Sequence, residues 1–185
     1  HAPPRVGRFL IFVGGLTSIA YFLHYATERQ LFGWPEIAFG YVWAAFLIIG
    51  ITGQAILGYT VRNKPGGNSA GNRTDATGWM AGGFALFAYF GTLIVKSLIV
   101  GNAEPGFESS LPIVFAIYGT GLITSGIMAG AKPLTYAGFG AFAMIAFALW
   151  FEGSPTIWAV ASLGAFLTML VPGLILLRDE PKNVI

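Results

Sequence analysis

The residues able to do chemistry in this chain are few, and most are hydroxyls. Thr17, Ser18 and Tyr21 fall in the first apolar stretch, Tyr89 in the third, and Tyr118, Thr124 and Ser125 in the fourth. In the middle of a membrane helix such groups can line a path for a small neutral solute. They can also satisfy backbone carbonyls of their own helix or bond locally. His24 lies about 22 Å along a helix from Phe9, at roughly 1.5 Å per residue. Tyr21 and Glu28 stand at helical spacing from it, and Tyr25 is adjacent. One reading is a polar outer mouth that responds to pH; the other is an interfacial histidine in an aromatic belt. Lys96, near the outer end of the third stretch, can snorkel to the headgroups or pair with Glu28, Glu104 or Glu108 at that mouth. Gln54 sits in the inner third of the second stretch, where an amide can bond a neighbouring helix or a solute.

Several chemistries are excluded on residue supply. There is no cysteine and there are two histidines. A haem held by two histidines needs a pair at membrane depth, and a catalytic zinc needs three protein ligands. Thr124-Ser125-Gly126 resembles a nucleophile position, but no base is expected on a facing helix. Pro65-Gly66-Gly67 has no following Lys-Ser/Thr, so it is not a phosphate loop. No Asp or Glu falls in the middle of an apolar stretch, which weighs against proton-coupled transport. The chain is therefore read as a non-enzyme with no metal and no cofactor.

The elements that must position these residues are membrane helices. Of the 185 residues 55% are hydrophobic and 10% charged, against roughly 25% charged in a soluble domain. So few charges cannot cover a water-facing surface. The 26 glycines suit helices that approach closely where van der Waals packing replaces the hydrophobic effect. The net charge of +2 does not point to nucleic acid, because the basic residues sit at the ends of apolar stretches.

Six spans are expected, at 9–26, 37–61, 78–100, 111–130, 134–151 and 156–177. Each approaches the roughly 20 residues that cross a bilayer core. Pro35, Pro112, Pro133 and Pro155 stand at or near span starts, where a missing N–H is harmless. The joins Gly130–Pro133 and Glu152–Pro155 are short and force antiparallel neighbours, so spans four to six stand side by side. The polar run 62–77, with Pro65-Gly66-Gly67, reads as a basic cytoplasmic loop. With the N-terminus inside, Arg5, Arg8, Arg62, Lys64, Arg73, Lys132, Arg178 and Lys182 all fall on the cytoplasmic side, and Arg29 falls outside. Trp34, Trp150 and Trp158 map to the outer interface and Trp79 to the inner one, while Trp43 sits deeper and is read as packing. Pro172-Gly173 is expected to kink span six near the inner leaflet.

The expected architecture is therefore an all-α, polytopic integral membrane protein, a six-transmembrane-helix bundle with both termini in the cytoplasm. It sits in a bacterial inner membrane or an organellar membrane. The expected function is handling of a small, mostly uncharged solute, as a channel, transporter or binding subunit. The alternative is a non-catalytic accessory or scaffold subunit of a larger membrane complex. Its expected partners are membrane lipid and either further copies of itself or other membrane subunits.

Overall fold

Long apolar runs leave the backbone one economical state, because in hydrocarbon every N–H and C=O must be paired within its own segment. The computed structural model describes residues 4–62, 70–100 and 106–178, and all regular structure among them is helical. Part of the expected loop (63–69), Glu104 and Lys182 lie outside the described residues. The helices are α1 (Pro4–Glu28), α2 (Ala38–Arg62), α3 (Ala70–Val100), α4 (Leu111–Ala129), α5 (Lys132–Trp150), α6 (Thr156–Ala165) and α7 (Val171–Arg178). A 3-10 turn, Glu108–Ser110, leads into α4, and a π-helical turn, Phe166–Leu170, joins α6 to α7. That sixth segment runs unbroken as Thr156–Arg178, and six helical segments are long and apolar enough to cross a membrane.

Local chemistry sets the ends. Pro112 and Pro133 occupy the first turns of α4 and α5. Gly130 closes α4 at φ 63°, a left-handed backbone that glycine adopts without strain. Ala131 then donates its N–H to the Gly126 carbonyl at 2.8 Å, and α5 begins at the next residue. Two elements differ from expectation. Residues 70–77 were expected in the loop but form the first two turns of α3, so Asp75 is a helical residue. Glycine and asparagine at 71–72 hide that start, because they are poor helix formers. The distortion of span six is the π-turn itself, where the Val171 N–H reaches back to the Phe166 carbonyl just ahead of Pro172.

Four segments make the core. α4 packs closely along α5, and α1 packs along α6, the π-turn and α7; α5 also touches the sixth segment. The buried side chains come from these four, among them Leu10, Leu111, Phe115, Leu122, Leu134, Ile157 and Met169. α2 leans on α1, and α3 on α4, and neither contributes a buried residue along its apolar window. The tight contacts run through glycine. A Cβ on Gly138 of α5 would stand 2.8 Å from the Gly119 carbonyl and 2.9 Å from the Ile123 nitrogen of α4. One on Gly14 would stand 2.5 Å from the Leu170 nitrogen. The Gly126–Gly130 pair divides its work: Gly126 abuts Thr135, while Gly130 serves the turn.

Gly138→Ala is expected to destabilise the bundle by about 1–3 kcal/mol through overpacking. Gly83→Ala, where a Cβ meets nothing within 4 Å, should be neutral or slightly stabilising. Thermal unfolding in detergent compares the two.

Candidate functional site

Thr17, Tyr21, His24 and Glu28 recur on α1 at intervals of four, three and four residues. That spacing lays them along one helical face. Tyr118 and Ser125, seven residues apart on α4, likewise share a face, and Asp75 and Trp79 on α3 are one turn apart. The fold brings these three stripes to a single seam between α1 and α4. Their backbones stand apart there, and side chains fill the space.

At the end of the bundle where α1 begins, Ser125 is buried between two partners on α3. Its hydroxyl donates to the Asp75 carboxylate at 2.5 Å and accepts from the Trp79 indole N–H at 3.0 Å. Trp79 also packs edge-on against Phe9 of α1 and faces Tyr118, with ring centroids 5.7 and 6.5 Å apart. One level further in, Thr17 and Tyr118 place their hydroxyl oxygens 3.4 Å apart, both side chains being buried. Tyr21 follows, buried between Trp43 and Trp158 at centroid distances of 5.8 and 5.9 Å.

His24 is the next group along the stripe. Its ring stacks on Trp158 at 3.9 Å and lies 4.6 Å from Phe39. The Trp43 indole N–H donates to His24 Nδ1 at 3.0 Å. An accepting Nδ1 carries no proton, so this hydrogen bond assigns the neutral ring's proton to Nε2. Glu28 closes the stripe at the far end, and its Oε2 is buried with no hydrogen-bond partner among the described residues. Glu108 and Arg29 are the charges that act on it. Glu108 itself accepts the Gly153 N–H at 2.8 Å, and Ser109 donates to Glu152 at 3.4 Å, so this end gathers three carboxylates.

The remaining candidates lie elsewhere. Ser18 is part of a reciprocal clamp with Ser162 of α6: its hydroxyl reaches the Ser162 carbonyl at 3.0 Å, and the Ser162 hydroxyl reaches the Ser18 carbonyl at 2.8 Å. Tyr89 packs edge-on against Phe90 on α3. Thr124 is exposed on α4, and Lys96 is exposed on α3. Gln54 is exposed on α2, beside a groove of about 110 Å³ between α1 and α2. Phe12, Leu16, Thr17, Phe46 and Gly50 also line this groove.

Asp75, Trp43 and Trp158 also take part. From sequence Asp75 reads as part of a loop, although its four-residue spacing from Trp79 is a helical signal. Trp43 reads as packing and Trp158 as part of an interfacial belt. An indole N–H held away from water needs an acceptor, and that need points from Trp43 to the chain's one histidine outside the N-terminal residue. Chemically, Ser125 donates its hydrogen bond to a carboxylate rather than an imidazole, and His24 stands toward the opposite end of the seam. No group of three or more His, Asp or Glu side chains that could hold a metal occurs among the described residues. No protein-family model matches the chain, and no match was found among curated proteins or solved structures.

Ser125→Ala should destabilise the protein by about 1–3 kcal/mol, because it leaves the Trp79 N–H and the Asp75 carboxylate without their partner. The expected readouts are a lower unfolding midpoint and a shift in tryptophan emission. Combined with Asp75→Ala, the double-mutant cycle should show clear non-additivity.

Proposed function

We propose that this chain is an integral membrane protein that handles a small, mostly uncharged solute at the groove between α1 and α2, beside the α1–α4 seam, with both termini on the cytoplasmic side. The orientation rests on the basic residues at the end where α1 begins and the carboxylates Glu28, Glu108 and Glu152 at the other. The observation that carries the solute reading is the double position of Thr17. Thr17 lines the groove between α1 and α2 and, on its other side, meets the buried Tyr118 hydroxyl. A solute entering the groove would thus find the Thr17 side chain at its floor and the Gln54 amide at its rim. The groove's volume of about 110 Å³ is well above the room a single water needs, a size suited to a small amide or polyol.

In proteoliposomes, wild-type protein should carry urea or glycerol at least tenfold faster than protein-free vesicles. Gly50→Leu should lower that flux at least fivefold, since a Cβ at Gly50 already approaches Leu16 at 3.6 Å. Gly83→Leu should leave it unchanged. Flux equal to that of empty vesicles would sink the reading.

One observation favours a second reading, an accessory subunit of a larger membrane complex. The Gln54 side chain is exposed at membrane depth and makes no hydrogen bond among the described residues, and an amide facing lipid is poorly placed without a partner. A native mass after gentle extraction separates the cases. Fixed co-extraction of other chains that is lost in Gln54→Leu supports the subunit reading, and a single copy or closed homo-oligomer removes it.

A further inference from the structure

We infer that two copies of this chain pair along α2, through Gly40, Ala44, Leu47, Ile51, Gln54 and Gly58, and that the pairing walls the α1–α2 groove of each copy. These six positions recur at intervals of four, three, four, three and four residues. An alternation of three and four is the repeat of helices that wind round one another as a left-handed pair. All six residues are exposed. None of the apolar window of α2, Ala38–Tyr59, is buried inside the protein. From Gly40 to Gly58 is 18 residues, about 27 Å at 1.5 Å per residue. A hydrocarbon core is roughly 30 Å thick, so the stripe is long enough to be a membrane-spanning contact.

Gln54 identifies the occupant. Its side chain is exposed five residues inside the end of that window and makes no hydrogen bond among the described residues. Thr92 and Thr120, also exposed, turn their hydroxyls back on carbonyls of their own helices; Gln54 does not. An amide out of water needs both a donor and an acceptor, and a lipid tail supplies neither. A second Gln54 supplies both, each NH2 donating to the other's carbonyl oxygen. Copies inserted with one topology are related by an axis along the membrane normal, so their α2 helices run parallel. Each residue of the stripe then meets its own counterpart at the same depth, as a reciprocal amide pair requires. A single polar position in such a seam also fixes its register. The glycines suit the same partner. A Cβ on Gly40 or Gly58 meets nothing within 4 Å in the single chain, and glycine in a membrane contact lets a second backbone come close.

The same contact completes the groove. Leu47, Ile51 and Gln54 belong both to the groove and to the stripe. Leu47 is 55% exposed and Ile51 69%, so the outer side of the groove lies open to lipid. A second α2 laid on the stripe stands across that open side and shields a solute there from hydrocarbon. This closure rests on the solute reading of the groove, whereas the pairing of the helices does not.

The chain has no cysteine, so single cysteines report the contact without background. The full chain carrying one cysteine is placed in liposomes at high lipid excess and oxidised with copper phenanthroline. Ala44→Cys, Ile51→Cys and Gly58→Cys should each give disulfide-linked dimers, at least fivefold more than Ala45→Cys, Ile49→Cys or Ile56→Cys. The latter three positions are exposed as well, but they stand about 140° or more round the helix from the middle of the stripe. Adding Gln54→Leu to Ile51→Cys should lower its yield at least fivefold. Unfolding midpoints are compared with wild type, and three stripe positions are used so that one misfolded variant decides nothing. Equal yields on both sides of α2, or no dimer at any stripe position in folded protein, would overturn the pairing. So would stripe cysteines that link only to a different chain in the native membrane. An unchanged yield with Gln54→Leu would overturn the amide pair. Solute flux from a chain that stays single defeats this inference alone, and stripe cross-links without solute flux defeat the groove reading alone.

Discussion

Helices in hydrocarbon gain nothing by hiding apolar surface from one another, so the bundle depends on how closely their backbones can approach. This chain solves that constraint with glycine at two seams. Gly119, Gly126 and Gly138 bring α4 against α5, and Gly7, Gly14 and Gly173 bring α1 against the sixth segment. A Cβ would come closer than 3.0 Å to a neighbour at every one of these except Gly7, where it would press on Gly173 and Leu176 at 3.2–3.3 Å. The Ser18–Ser162 clamp adds reciprocal hydrogen bonds at the second seam, where the two backbones are near enough for each hydroxyl to reach the opposite carbonyl. α2 and α3 lack comparable contacts and remain flanking helices.

The α1–α4 seam follows from the same constraint. With α4 held by α5, and α1 by the sixth segment, these two helices face each other across a wider gap. Aromatic rings and hydroxyls fill it. Tyr118 and Tyr21 are long enough to reach across, and their polar tips must then be satisfied inside the protein. Thr17, Ser125, Asp75, Trp43 and His24 form the resulting set of polar neighbours.

The sequence made the six spans legible because hydrophobic length and proline position are local properties. It also made Thr17, Tyr21, His24 and Glu28 legible as a stripe, since the 4-3-4 spacing is intrinsic to one helix. The partnership between stripes was not legible. Tyr118 and Thr124 look alike by composition, yet one is buried against Thr17 and the other is exposed, a distinction set by how α4 is rotated against α5. Asp75 was missed for a different reason: a glycine- and asparagine-rich start resembles a loop until packing of Trp79 against Phe9 and Tyr118 fixes it as helix. Trp43 looked apolar because its ring is, while its single N–H decides its role.

The π-turn at Phe166–Leu170 sets the phase of everything after it. Each residue of an α-helix advances the chain by about 100°. The extra residue held in a π-turn therefore rotates Val171–Arg178 by about that angle relative to an unbroken helix. This rotation keeps Gly173 facing Gly7 and Ile11, while Gly164, on the other side of the turn, faces Phe115 and Met144. The last span thus offers its small residues to two different neighbours, α1 below the turn and the α4–α5 pair above it. Removing one residue from the turn would leave hydropathy and span length almost untouched, yet it would swing the end of the chain off α1.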